Sequence, residues 1–318
     1  MAPSAIAVDD HEVGQTTTAV SNLDFTERVI AATGPKANPR LAQVMPSLLQ
    51  HLHGFARETN LTVAEWMAGV EFINECGQLS TDRRNETALL CDILGLESLV
   101  DEITSNQLAA PSPPSFSSNA DNITTSSAIL GPFYRLDAPL MPNGSSIVHD
   151  LTPDLPWYEH AIANTAFVSG RVLSSTTAKP IAGAIVDVWH SAPNGLYEQQ
   201  DEGQQDMNLR GRFQTDSQGR YAFYALRPTP YPIPSDGPAG RLLEMLDRHP
   251  YRPAHIHFIV SGPNHRTLTT QVFDSRDRYI TNDAVFAVKD DLVVHFSPRK
   301  GDERAKWTLE YDFVLQRT

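Results

Sequence analysis

The sequence predicts a mixed fold, an N-terminal helical domain followed by an all-β sandwich with long loops, and three observations predict it. From Asp24 to about Asn106 apolar residues recur at a helical period behind recognisable cap residues. Between 107 and 128 the composition turns to Ser, Pro and Asn with no apolar period. After Ala128, short runs rich in β-branched and aromatic residues are separated by clusters of Gly, Pro, Asn and Asp. A length of 318 residues suits about two domains at roughly 150 residues each. The expected division is a disordered head at 1–22, a helical domain at 23–106, a linker at 107–128 and a β-sandwich at 129–318.

The helical elements follow from their caps. Asp24 with Glu27, and Thr62 with Glu65, have the spacing of a capping box, which satisfies free N–H groups at a helix start. Asn38-Pro39 puts a cap residue before a proline at the first helical position. Leu41, Val44, Leu48, Leu49 and Leu52 then form a stripe, in which Pro46 should kink the helix or mark its real start. Trp66, Val70 and Ile73 give a second stripe, and Leu89, Leu90, Ile93 and Leu94 with Leu99 and Val100 a third. Three to five helices are expected. Strands are expected at 165–173, 184–189, 211–215, 220–225, 255–261, 267–273 and 306–315, with a turn at Asp216–Gly219 and one short helix at 239–248.

Composition narrows the chemistry. With 38 acidic and 25 basic side chains the formal net charge is −13, which opposes binding to nucleic acid or to an anionic membrane. Cys76 and Cys91 are too few for a disulfide scaffold or a four-thiolate metal site and read as small buried hydrophobes. Any metal must therefore be held by His, Tyr or carboxylate. No apolar run is long enough to span a membrane, and the first residues do not read as a signal peptide, so the cytoplasm is the expected compartment. The sequons at Asn60, Asn85, Asn122 and Asn143 then read as chance matches. The chain has no G-x-S-x-G, G-x-G-x-x-G or Walker motif.

The sharpest feature is His255-Ile256-His257 inside an apolar run. In a strand, residues i and i+2 share a face about 6–7 Å apart, so two imidazoles can converge on one metal; they could equally face solvent. Tyr231 and Tyr197 lie upstream in Pro- and Gly-containing loops. Tyrosine is commonly a packing residue, yet phenolate is a hard anionic donor suited to Fe(III). Arg252 sits three residues before His255, and a buried guanidinium needs an anion to face. His190 reads as structural.

The segments LGPFYRLDAP (130–139), VDVWHSAPNGLYEQQD (186–201), GRFQTDSQGRYAF (211–223), YPIPSDGP (231–238), HPYRPAHIHF (249–258) and QVFDSRDRYITNDAVFAVKDDLVV (271–294) together resemble the intradiol ring-cleaving aromatic dioxygenases. The resemblance runs over about residues 24–315 and leaves the head and the Ser/Pro-rich stretch unmatched. It implies Fe(III) held by Tyr197, Tyr231, His255 and His257 with a solvent hydroxide. It implies that Tyr231 leaves the metal when substrate binds, that Arg252 stabilises negative charge on the substrate ring, and that Gln271 orients substrate and oxygen. The substrate cavity is expected from Leu89, Asp92, Leu130, Gly131, Pro132, Phe133, Ile233, Pro234 and Arg252. The run Tyr231-Pro232-Ile233-Pro234 looks more like hydroxyquinol 1,2-dioxygenases than bacterial catechol enzymes. Asp92 could accept a hydrogen bond from the third hydroxyl of a benzenetriol, or simply face solvent. The expected reaction is cleavage of hydroxyquinol (benzene-1,2,4-triol) by O₂ to 3-hydroxy-cis,cis-muconate, the tautomer of maleylacetate, with catechol to cis,cis-muconate as the alternative. The resemblance further implies a homodimer through the helical domain, with a phospholipid at its interface. A non-catalytic binding sandwich is the competing reading from another class.

Overall fold

The computed structural model of the chain describes residues 24–81, 84–109 and 124–318, without the side chains of 106–109. The expected disordered head, the Asn122 sequon and most of the expected linker lie outside the described residues. The chain divides into two compact units, one ending at Glu71 and one beginning at Phe72.

The first unit holds α1 (Phe25–Ala31), α2 (Pro39–Glu58) and the beginning of α3 (Val63–Leu79). Asp24 and Glu27 form the reciprocal capping box at the start of α1. Asn38 Oδ1 accepts from the backbone N–H groups of Arg40 (2.9 Å) and Leu41 (3.2 Å), so Pro39 begins α2. Ahead of α3, Thr62 N donates to Glu65 Oε2 at 2.8 Å and Glu65 N to Thr62 Oγ1 at 3.2 Å. The idea that Pro46 marks the start of the helix is corrected: Pro46 lies inside α2, because the Asn38 cap and Pro39 nucleate the helix before it. None of the residues of α2 is buried within the chain; Leu41, Leu48, Leu52 and Phe55 are 49–55% exposed.

The second unit carries α4 (Glu86–Ile93), α5 (Leu96–Ala109), α6 (Tyr158–Ala163) and α7 (Pro238–Met245) beside a β-rich body. Leu89 and Ile93 of α4 enter an apolar cluster with Ile129, Ile233, Leu243, Phe273, Val285 and Leu292, so this helix packs with the β-rich body. The strands are β1 (Leu140–Met141), β2 (Thr165–Ser174), β3 (Ile185–Trp189), β4 (Arg210–Gln214), β5 (Arg220–Leu226), β6 (Tyr231–Pro232), β7 (Tyr251–Arg252), β8 (His255–Ser261), β9 (Leu268–Asp274), β10 (Val293–Val294), β11 (Ser297–Pro298), β12 (Trp307–Glu310) and β13 (Phe313–Leu315). One sheet runs β1-β4-β3-β8-β9-β10; the other runs β11-β12-β2-β13, with β5 also paired to β2.

The sandwich core forms where their apolar faces meet. Val186, Val188, Phe213, Ile256, Phe258 and Val260 from the first sheet cluster with Val168, Val172, Phe223, Leu309 and Phe313 from the second. The strand expected at 306–315 is two strands, because Asp312 leaves the ladder to accept from Arg171 N at 2.7 Å and Arg171 Nη2 at 2.8 Å. The end of the expected linker is docked rather than free: Thr125 N donates to Val314 O (3.1 Å) and Ala128 N to Thr269 O (3.0 Å). Among the described residues no helix is long and apolar enough to cross a membrane.

Candidate metal centre

Strand alternation places the two histidines. On β8, Ile256, Phe258 and Val260 point into the sandwich core, so His255 and His257 share the opposite face. Register fixes their neighbours: Trp189 of β3 and Gln271 of β9 lie opposite His257, and Phe273 lies opposite His255. The β6–β7 ladder pairs Tyr231 with Arg252. Tyr197 sits at the entry of a 3₁₀ turn, Glu198–Gln200, with its N–H donating to Gln200 Oε1 at 3.1 Å.

These elements bring four donor atoms together. Tyr197 Oη lies 3.2 Å from Tyr231 Oη, Tyr231 Oη lies 3.4 Å from His255 Nε2, and His255 Nε2 lies 3.1 Å from His257 Nε2. All four residues are at most 4% exposed. His255 Nδ1 is 2.6 Å from Pro253 O, a bond that requires the proton on Nδ1 and leaves Nε2 as a lone pair aimed inward. Arg252 Nη1 donates to that lone pair at 3.1 Å. Burial drives both imidazoles well below the ordinary histidine range, with the Arg252 charge acting in the same direction. Burial also drives the Tyr197 phenol well above its ordinary value and raises that of Tyr231. Two neutral imidazoles and two phenols that ionise only against a compensating charge form a donor set for a hard cation. Among the described residues, no group of three His, Cys, Asp or Glu could hold a metal, so tyrosine is what completes a ligand set here.

A second ring of contacts holds this cluster. The Trp189 ring stacks on His257 at 4.9 Å and 8°, and Phe133 packs on Tyr197 at 4.8 Å. Gly131 has φ +75°, and a Cβ there would stand 3.1 Å from His257 Cε1, so only glycine lets this loop close on the imidazole. Arg252 is fully enclosed, paired with Asp283 through Nε and Nη2 (3.2 Å each), and donates from Nη2 to Gln271 Oε1 at 2.8 Å. Burial opposes its charge, but the Asp283 carboxylate and the phenols more than offset this and hold its pKa above the ordinary value. Gln271 Nε2 donates to Ile129 O at 2.7 Å.

Beside the cluster is a small pocket lined by Leu89, Asp92, Ile129, Pro132, Phe133, Tyr231, Ile233, Pro234, Arg252 and Val285. Seven of the nine residues expected from the sequence are in this lining. Leu130 is outside it and 37% exposed, and Gly131 lies against His257 instead. Asp92 faces the pocket rather than solvent: it is 2% exposed and its Oδ1 has no hydrogen-bond partner. Burial, reinforced by Glu97 and opposed by Arg252, pushes its carboxyl up to about 9. It is therefore a neutral acid near pH 7, able to donate as well as accept.

The sequence reading missed Asp283, Ile129, Val285 and the Trp189 stack. Trp189 was legible in principle, since it immediately precedes His190 at the end of a strand. No spacing rule marks Asp283 among the other acids of its loop. His190 is buried with Nδ1 2.9 Å from Ser191 O, and burial lowers its pKa to about 4.

Comparison with known proteins shows the family. Residues 136–317 match the family model described as "Dioxygenase", and residues 38–111 match "Catechol dioxygenase N terminus". The chain is 47% identical over 298 residues to a catechol 1,2-dioxygenase of Candida albicans, covering 92% of this chain and 91% of that protein. It is 40% identical over 301 residues to a hydroxyquinol 1,2-dioxygenase of a Rhizobium species, covering 92% and 94%. Its fold superposes on the crystal structure of a hydroxyquinol 1,2-dioxygenase from Pseudomonas putida with a TM-score of 0.77 and 34% identity, covering 92% and 97%.

Proposed function

This chain belongs to the intradiol ring-cleavage dioxygenases, an enzyme family of 1,2-dioxygenases, and from that premise we propose that it uses Fe(III) held by Tyr197, Tyr231, His255 and His257 to cleave hydroxyquinol with O₂ to 3-hydroxy-cis,cis-muconate. The observation that carries the proposal is the convergence of two phenol oxygens and two imidazole nitrogens, each within 3.4 Å of another. Membership in this family sets aside the non-catalytic binding sandwich.

The ion, when bound, would supply Lewis acidity that draws electron density from a chelated diol and makes the ring reactive to O₂. The chain's own residues divide the remaining work. Tyr231 lines the pocket and Tyr197 does not, so Tyr231 Oη, as the phenolate it would be with the ion bound, is placed to take one proton from the incoming diol. Arg252, pinned by Asp283 and Gln271, is a preorganised positive charge for the anion that develops on the ring. Both ends of the Gln271 amide are committed, to Arg252 and to Ile129. Gln271 therefore acts by holding Arg252 and the pocket loop in register. Pro132, Phe133 and Ile233 enclose the ring and exclude water.

Asp92 favours the triol. It is the acid in a pocket otherwise walled mainly by apolar groups, and its unpartnered Oδ1 can bond to a third hydroxyl that catechol lacks. A site built to bond a hydroxyl discriminates against the analogue without it. The second reading, catechol to cis,cis-muconate, draws on the Candida relative. Oxygen uptake with hydroxyquinol, catechol and 4-methylcatechol decides between them. The expected order of kcat/KM is hydroxyquinol first, with Asp92→Leu reversing it; a higher value on catechol in the unmodified enzyme overturns the substrate assignment. Iron should give a visible tyrosinate-to-Fe(III) band, and His255→Ala should lose both band and turnover.

The same reading includes a homodimer through the apolar residues exposed on α2, and a phospholipid at that interface, in a cytoplasmic enzyme. Mass spectrometry of a solvent extract of the purified protein tests for the lipid.

A further inference from the structure

Beside Tyr197, which does not line the pocket, lies a second buried arginine. Arg210, at the start of β4, is 1% exposed. Its Nε donates to Glu198 Oε2 at 2.7 Å and its Nη2 to Gln199 Oε1 at 3.1 Å, so one guanidinium grips the two residues that follow Tyr197 in the chain. The Glu198 side chain is also buried, and its other oxygen accepts from Arg135 Nη1 at 2.6 Å. The third nitrogen, Arg210 Nη1, is buried and has no hydrogen-bond partner. The guanidinium carbon stands 5.6 Å from the centroid of the Tyr197 ring.

A buried ion pair is costly unless its geometry is satisfied on every side, and this one is left open at one donor. Were the pair only a staple for the 198–200 turn, a neutral side chain of similar shape would serve at less desolvation cost. What the arginine adds is a fixed positive charge beside an aromatic ring that, on the reading above, carries a phenolate when iron is bound. Arg252, paired with Tyr231 across the β6–β7 ladder and lining the substrate pocket, favours the ionised form of both phenols, whereas Arg210 stands beside Tyr197 alone.

We infer that Arg210, clamped by Glu198, is a positioning residue that holds Tyr197 in place and electrostatically stabilises it as the permanent anionic donor, leaving Tyr231 as the exchangeable one. The inference rests on the iron-binding reading. A positive charge beside the ring lowers the energy of the phenolate electrons, so their transfer to Fe(III) takes more energy. Loss of the charge must move the transfer band to longer wavelength, and loss of the neighbouring negative charge must move it to shorter wavelength.

The test uses the full-length, iron-loaded protein and its visible absorption. Arg210→Met should shift the band to longer wavelength, Glu198→Gln should shift it to shorter wavelength, and Arg210→Lys should lie between Arg210→Met and the unmodified protein. The shifts should persist in a Tyr231→Phe background, where only Tyr197 remains to give the band. Should Arg210→Met fail to fold by circular dichroism, the opposed shifts of Arg210→Lys and Glu198→Gln decide. Folded variants whose band stays put, or shifts the same way for both charges, overturn the inference and leave the iron assignment standing. An unmodified protein that takes up iron without any such band overturns both.

Discussion

Asp283 shows how much a single buried carboxylate can decide. Arg252 is 3% exposed and Asp283 is its only carboxylate partner among the described residues; Asp283 also caps the backbone N–H groups of Val285 and Ala287 at 3.2 and 3.1 Å. Asp283→Ala would leave a buried guanidinium unpaired, a change costing about 3–5 kcal/mol. Denaturant unfolding should show a loss of that size, with turnover falling further than stability alone explains. At Asp92 the sign runs the other way. Its carboxyl is raised from 3.8 to about 9 on folding, so its contribution to stability is fully present below the ordinary carboxyl range and is lost as pH rises toward about 9. Asp92→Asn should therefore gain stability over the unmodified enzyme across that window, by at most about 1.4 kcal/mol per pH unit; unfolding midpoints from pH 5 to 9 check it. Gly131→Ala combines a left-handed backbone with a contact to His257. About 1–2 kcal/mol of strain should appear together with reduced iron occupancy by metal analysis.

At the scale of elements, the strongest sequence signals were local and proved legible. The capping box at Asp24, the Asn38-Pro39 start and the period-two run of β8 each state a backbone requirement within a few residues of the atoms that satisfy it. Pro46 was harder, because a proline raises the cost of a helix without dictating where tertiary structure accepts that cost. Since it removes a backbone bond inside α2, Pro46→Ala should stabilise the helix by up to about 3 kcal/mol, read as a higher unfolding temperature by circular dichroism. Less legible still was the clamp between α4 and α7. Glu86 accepts from Ala239 N at 3.0 Å and pairs with Arg84, which reaches Asp236 at 2.7 Å. It ties the helix carrying Leu89 and Asp92 to the segment that follows Ile233 and Pro234. Glu86→Ala should cost about 2 kcal/mol and raise KM more than it lowers kcat, since it loosens pocket walls and leaves the candidate ligands untouched.

Among the described residues several helices keep apolar side chains uncovered: Leu41, Leu48, Leu52 and Phe55 of α2 are half exposed, as are Trp66 and Ile73 of α3 and Leu99 and Val100 of α5. Light scattering should give twice the chain mass, and Leu48→Glu with Phe55→Glu should halve it while the visible band of the iron-loaded protein is retained. A chain that is monomeric throughout refutes the dimer. The net charge of −13 gives no general attraction for a phenolic anion, so positive charge at the site must be local, and Arg252 supplies it from within the chain. The sequence by itself determined the class of each half, the caps, the strand that aligns His255 with His257 and, through its ordered motifs, the family. Those are properties of neighbours along the chain, where periodicity and covalent geometry act. Only the tertiary structure decided that Asp283 balances Arg252, that Arg210 stands beside Tyr197, that Asp92 turns inward and that Leu130 does not line the pocket. Partners 31, 13 or more than 100 residues apart are chosen by which faces the packed sheets bring together, and burial then sets the charge each can carry.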